Sequence, residues 1–222
     1  MTTHTLQRWY VVRDTLQTVW RAVGGPRLTR RFPILREILT SYRWLLPAYH
    51  RQRVFERAHP EAPWFAPCAI LRLDEILRLD WIAFEWGSGR STAWLAKRVK
   101  FLTSIETSAE WFERVRPSHG TNYLVRFVPL DSPYAIDGLL NNSLDLIVID
   151  GEERRACLTH ALPKLKPHSW LVLDDFESLV YRDLRVLVCQ WPGVELYHNG
   201  LMETALIRMH PYTLERWRLL LL

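Results

Sequence analysis

Two glycines and two acids stand out as residues able to do chemistry. The run Ala83-Phe84-Glu85-Trp86-Gly87-Ser88-Gly89-Arg90-Ser91-Thr92 ends an apolar stretch and opens a helical one. Glycines at 87 and 89 let the backbone turn tightly and approach a ligand with no Cβ in the way. Ser91 or Thr92 can cap the following helix. Its first N–H groups then face a ligand carboxylate. Glu85 precedes the first glycine and suits a ligand ammonium. Valine at Gly87 is expected to block the ligand with its Cβ branches and leave the fold intact.

Glu106 stands seventeen residues after Gly89, at the end of the next strand-like run. An acid there can accept hydrogen bonds from two ribose hydroxyls. The third glycine of the dinucleotide fingerprint is missing: the loop reads GSGRS, not GxGxxG. That pattern disfavours a pyrophosphate over the loop and fits a ligand with one adenosine and an amino-acid tail.

The elements that must position these residues form two regimes. In residues 1–79, Trp9, Val12, Leu16, Val19, Trp20 and Val23 recur at helical spacing, and Gly24-Gly25-Pro26 stops that helix. Further helices are expected over 34–44, 47–58 and 68–79, with a proline-rich linker, HPEAPWFAP, at 59–67. From Trp81 onward the pattern alternates. Strands are expected at 81–86, 101–105, 123–129, 145–149 and 170–174, with helices at 91–99, 108–116, 152–165 and 178–190. Such alternation indicates an α/β fold, a parallel sheet with helices on both faces. Two last strands, 194–198 and 203–209, flank Asn199-Gly200 as a hairpin.

Residues 81–209 resemble the class I S-adenosylmethionine-dependent methyltransferases. The likeness rests on E-x-G-x-G-x-S at Glu85 to Ser91, the acid Glu106 after the second strand, Asp150-Gly151 after the fourth, and the terminal hairpin. It implies a Rossmann-like seven-stranded sheet in the order 3-2-1-4-5-7-6, with an N-terminal helical extension. The implied domains are an extension or lid over 1–79 and a methyltransferase domain over 80–222. S-adenosyl-L-methionine is the implied cofactor. Glu85, Trp86, Gly87, Ser88, Gly89, Ser91, Glu106, Thr107, Asp131, Ser132, Asp150 and Gly151 are the implied cofactor residues. The implied reaction is methylation of an oxygen on a small or medium-sized acceptor. Asp150 and His198 are candidate bases. Arg154, Asp174, Asp175 and Tyr134 are candidate acceptor contacts, and Trp86 and Trp111 candidates to shape the pocket.

Asp150 and the pair Asp174-Asp175 end neighbouring strands, so their carboxylates should converge at the rim where α/β ligands bind. One reading gives them loop N–H groups or the acceptor as partners. Another gives them Mg²⁺ or Ca²⁺. The placement is similar to that of the metal-dependent catechol-type O-methyltransferases. The chain departs from them twice: Asp175 stands where an amide is expected, and Asp150 is followed by Gly-Glu-Glu-Arg-Arg, without the family's lysine. The expectation is therefore no metal, with Asp150, Asp174 and Asp175 as the alternative ligands.

Charge and composition bound the rest. The chain has 222 residues, 48% of them apolar, enough for one domain and a core without staples. Residues 1–60 carry eleven arginines against three acids, 11 − 3 = +8, so the remainder carries 5 − 8 = −3. A basic extension suits an anionic partner: an anionic acceptor, a membrane surface touched by the N-terminal helices, or nucleic acid. Nucleic acid is the less favoured partner, because no NPPY-type motif or Pro-Cys pair is present. The residue 1–60 segment is expected to be a lid beside the sheet's C-terminal edge. The segment after Pro211 is expected to join it or make a homodimer contact. Cys68, Cys157 and Cys189 show no CxxC spacing and are expected to be buried free thiols. With no apolar run of membrane-spanning length, a soluble cytoplasmic protein is expected. A non-catalytic nucleotide-binding module is the contrasting class; the missing third glycine and the hairpin disfavour it.

Overall fold

A computed structural model describes residues 47–115, 121–190 and 192–212. The Trp9–Val23 stripe, the helix expected at 34–44 and the leucine-rich end after Tyr212 lie outside the described residues. The described helices are α1 (47–58), α2 (Pro67–Ile76), α3 (Arg90–Ala96), α4 (Ala109–Val115), α5 (Arg154–Ala161) and α6 (Arg182–Val188). The strands are β1 (Ile82–Trp86), β2 (Phe101–Glu106), β3 (Tyr123–Phe127), β4 (Leu144–Ile149), β5 (Leu165–Leu173), β6 (Val194–His198) and β7 (Glu203–Arg208).

The seven strands form one sheet in the order β3-β2-β1-β4-β5-β7-β6, the order the resemblance implies. β1 to β5 pair in parallel, and β7 runs antiparallel between β5 and β6. The central strands are apolar on both faces because helices cover both. The period of two divides them cleanly. Ala83, Leu146, Val148, Val172 and Leu206 join Phe65, Leu73, Trp94 and Leu95 in one core layer. Phe84, Trp86, Ile147, Ile149, Leu171 and Ile207 join Leu158, Phe176, Tyr181 and Leu184 in the other.

Several boundaries differ from those expected. β5 begins at Leu165, not 170, because the Lys166-Pro167-His168 stretch is absorbed as an irregularity within the strand. Leu144 pairs with Leu165, the register then shifts, and His168 sits at φ 67°. α5 is shorter than 152–165: Glu153 is left-handed at φ 50°, and Pro163 turns the end into a 3₁₀ turn, Leu162–Lys164. The helix expected over 178–190 starts as a 3₁₀ turn, Leu179–Tyr181, before α6. Cys68 and Cys189 are exposed; only Cys157 is buried.

The 59–67 stretch lacks regular structure yet is firmly packed. Phe65 is fully buried, and the Ala66 N–H donates to Thr204 Oγ1 on β7 at 2.9 Å. α1 docks on the β6–β7 turn. Ala48 is buried against Gly200, and Asn199 Nδ2 donates to Gln52 Oε1 at 2.7 Å. That turn follows the C-terminal end of β6, so α1 stands at the same edge of the sheet as the ends of the parallel strands. No helix among the described residues is long and apolar enough to cross a membrane.

Candidate active site

The loop after β1 is held from below. Glu85 is fully buried, because alternation on β1 turns it toward α3, and it pairs across the sheet with Ser104. Its Oε2 accepts from Thr92 Oγ1 at 2.6 Å and Ser104 Oγ at 2.7 Å. Thr92 Oγ1 also accepts from the Gly89 N–H at 2.9 Å, and Ser88 Oγ meets Ser104 Oγ at 2.8 Å. Thr92 rather than Ser91 therefore caps α3. Burial raises the Glu85 carboxyl above its ordinary range, opposed by the hydroxyls of Ser91, Thr92 and Ser104. Glu85 does not line the cleft above it. Its Oε2 anchors the loop, while its buried Oε1 meets no hydrogen-bond partner among the described residues.

That cleft, of about 480 Å³, lies over the C-terminal ends of β1, β2 and β4. Trp86 to Ser91, Ile105 to Ser108, Trp111, Ser132, Asp150 to Glu152, Arg154 and Trp64 line it. The two glycines differ. Gly87, at φ 94°, lies so close to β4 that a Cβ would stand 2.7 Å from the Asp150 carbonyl carbon and 2.9 Å from the Gly151 nitrogen. A side chain there would strike the backbone of β4's end before any ligand, so the expectation of an intact fold is corrected. At Gly89 a Cβ would meet only Trp111 Nε1, at 3.6 Å, so this glycine keeps the cleft itself open.

Glu106 closes the far side. Its Oε1 accepts from the N–H groups of Thr107 at 2.9 Å and Ser108 at 2.8 Å. Burial raises its pKa, opposed by backbone N–H groups of Ser108, Thr107 and Ser88. Trp111 Nε1 donates to the Ser88 carbonyl, and Trp86 Nε1 donates to the Ser132 carbonyl at 2.8 Å. These indoles tie the loop to α4 and β1 to the turn after β3. Asp131, left-handed at φ 55°, is exposed beside Ser132 and does not line the cleft.

A second cleft, of about 750 Å³, adjoins the first and shares Gly151, Glu152 and Arg154 with it. Arg155, Thr159, Asp175, Ser178 and Val180 are among its other walls. Beneath the shared wall, Asp150, Asp174 and Asp175 bring carboxylate oxygens within 4.8 Å of one another. Arg154 is their counter-charge. Its Nη2 lies 3.3 Å from Asp150 Oδ1 and 3.2 Å from Asp175 Oδ2, and its Nε donates to the Gly151 carbonyl at 2.9 Å. Thr204 Oγ1 donates to Asp174 Oδ1 at 2.7 Å. A divalent ion does not fit this arrangement, because a permanently charged guanidinium already bridges two of the three acids. Burial pushes the Asp150 carboxyl up to about 7; Arg154 opposes this, and Asp175 adds to it. Asp174, wholly buried, is raised as well, by burial and then by Asp150.

Besides Glu85 and Asp131, three more expected residues stand apart from both clefts. His198 is exposed on the edge strand β6, two strands beyond β5. Tyr134 is exposed and packs its ring edge on His160, centroids 4.5 Å apart. Asp174 points under the rim to Thr204 rather than into a cleft. Trp64, Arg90 and Ser108 were not anticipated. Trp64 sits in what reads as a linker, where its neighbouring prolines obscure the packing of Phe65.

A methyltransferase family model, described as a methyltransferase domain, matches residues 84–176, the span from β1 through Phe176 that builds this cleft. Residues 84–176 thus match a methyltransferase domain, and the sheet order is the one that the resemblance to class I S-adenosylmethionine-dependent methyltransferases implies. Solved structures share the fold. An rRNA methylase from Streptococcus thermophilus superposes with a TM-score of 0.50 at 15% identity, over 64% of this chain and 96% of that one. A tRNA (m1A58) methyltransferase, TrmI, from Aquifex aeolicus does so with 0.50 at 14%, over 62% and 65%. The YcgJ protein from Bacillus subtilis scores 0.40 at 14%, over 47% and 48%. The chain thus spans less than two thirds of the last two. No curated protein matches it.

Proposed function

We propose that the protein transfers the methyl group of S-adenosylmethionine to an oxygen of a small or medium-sized acceptor. The donor occupies the cleft over the Gly87–Gly89 loop, and the acceptor enters the adjoining one. Glu106 receives the donor's ribose hydroxyls, while Trp86, Ser132 and Trp111 bound the adenosine side. When bound, the donor supplies an electrophilic methyl carbon. The chain's part is to hold the acceptor oxygen in line with it and to take the proton.

Asp150 is the group placed for that proton, and its position carries the reading. It lines the donor cleft at the wall the two clefts share, with a carboxyl raised to about 7. A base with a pKa near neutrality is matched to a hydroxyl proton at working pH. Arg154 fixes its orientation by contacts to Asp150 and Asp175. Arg154 and Arg155 share the acceptor cleft with Glu152, Glu153 and Asp175, so both signs of charge face the acceptor.

The test is methyl transfer from isotopically labelled S-adenosylmethionine to a panel of phenols, hydroxy acids and phosphorylated alcohols, with amines as the contrast. Label on a hydroxyl oxygen, lost in Asp150→Asn, supports the reading. Label only on amines, or full turnover by Asp150→Asn, contradicts it. The fold shared with RNA methylases gives RNA a place in the same panel.

A further inference from the structure

We propose that Trp64 and Arg90 form a cover for the amino-acid end of the methyl donor, with Arg90 binding its carboxylate and the Trp64 ring shielding that pair from water. This rests on the donor occupying the first cleft. Among the described residues, Trp64 is the one lining residue of that cleft that precedes β1, and it falls outside the matched span 84–176.

The support is geometric. Trp64 is 55% exposed, although Phe65 beside it is at 0% and Ala66 at 1%. Its strap is fixed along its length: Phe65 sits in the core, the Ala66 N–H is bonded to Thr204, and Lys97 pairs with Glu61 at 2.5 Å. A large ring held half bare at the mouth of a cleft gains most when a ligand covers it. The Arg90 guanidinium lies 5.8 Å from the ring centroid, and Arg90 Nη2 donates to the Pro60 carbonyl. An arginine has five donors. Among the described residues, that carbonyl is the one acceptor Arg90 meets, so several donors remain for a carboxylate. Arg90 is also the cationic lining residue contiguous with the glycine loop. Glu106 is the group assigned to the ribose, so the donor's tail is the part left for Arg90.

Calorimetry with three ligands separates the possibilities. S-adenosylmethionine and S-adenosylhomocysteine carry the tail; 5′-methylthioadenosine keeps the adenosine and lacks it. Trp64→Ala and Arg90→Gln should each weaken the two tailed ligands by roughly 10-fold or more, the scale of a lost charge-assisted bond. They should leave 5′-methylthioadenosine within about twofold. Trp64→Phe should keep most of the affinity. Equal losses for all three ligands would overturn the proposal, as would unchanged binding of S-adenosylhomocysteine. A wild-type protein that binds none of them would overturn the donor site itself.

Discussion

Gly87 and Gly89 are separated by one residue, yet their replacement by alanine should fail in opposite ways. At Gly87 an added Cβ stands 2.7 Å from the Asp150 carbonyl carbon, 2.8 Å from its oxygen and 2.9 Å from the Gly151 nitrogen. None of these atoms can swing aside. The Asp150 N–H is bonded to the Trp86 carbonyl at 2.9 Å, and the Gly87 N–H to the Ile105 carbonyl at 2.9 Å. The φ of 94° adds backbone strain of about 1–3 kcal/mol. Forcing β1 and β4 apart adds about 1–3 kcal/mol more. For a chain of this size, each kcal/mol lowers the melting midpoint by about 2–4 °C. Gly87→Ala should therefore melt roughly 4–24 °C lower. Gly89 has extended backbone at φ 179°, and its Cβ would meet only Trp111, at 3.6 Å. Gly89→Ala should keep the wild-type midpoint and lose S-adenosylmethionine affinity by roughly 5- to 100-fold, because the methyl takes ligand space. Differential scanning calorimetry and ligand titration on both variants decide it. An unshifted midpoint for Gly87→Ala, or unaltered affinity for Gly89→Ala, would refute the division of roles.

Glu106→Ala should weaken S-adenosylmethionine by about 1.5–3 kcal/mol in titration, the range for hydrogen bonds to a charged group. Asp150 works as a base only when ionised. The rate should therefore rise with pH through about 7 and level off above it, and Asp150→Asn should flatten that limb and lower kcat by about 10²–10⁴-fold. The same raised carboxyl makes folding stability fall as pH rises through about 7, and Asp150→Asn should remove that decline in melting scans. Glu85→Ala strands the Thr92 and Ser104 hydroxyls and should cost about 1–3 kcal/mol in denaturant unfolding. Glu85→Gln, which keeps an acceptor for them, should stay near the wild type.

The sheet was legible because its strands announce themselves twice, through apolar runs and through the loops that close them. Gly87, Gly89 and Glu106 each end or follow such a run, so their meeting at one rim followed from the topology. What periodicity hides is which way a rim residue points. Glu85 and Trp86 are neighbours, yet one turns under the loop to Ser104 and the other reaches the Ser132 carbonyl. The alternation of Ser104 within Phe101–Ile105 was the signal for the first. Asp174 was expected among the acceptor contacts, but Thr204 comes from a strand thirty residues later, and nothing local predicts that bond. The placement of Arg154 between Asp150 and Asp175 is similarly a tertiary fact. The left-handed Glu153 starts α5 at Arg154 and so brings its guanidinium over Asp150. Trp64 was hidden for the opposite reason: proline-rich sequence reads as loose, whereas here Pro63, Phe65 and Ala66 are buried.

The central claim is that the cleft over Gly87–Gly89 holds S-adenosylmethionine, and isothermal titration of the purified protein tests it most directly. The account predicts saturable one-to-one binding of S-adenosylmethionine, displaced by S-adenosylhomocysteine and weakened in Glu106→Ala. No heat with either ligand at millimolar concentration, or tighter binding of NAD than of S-adenosylmethionine, would contradict it.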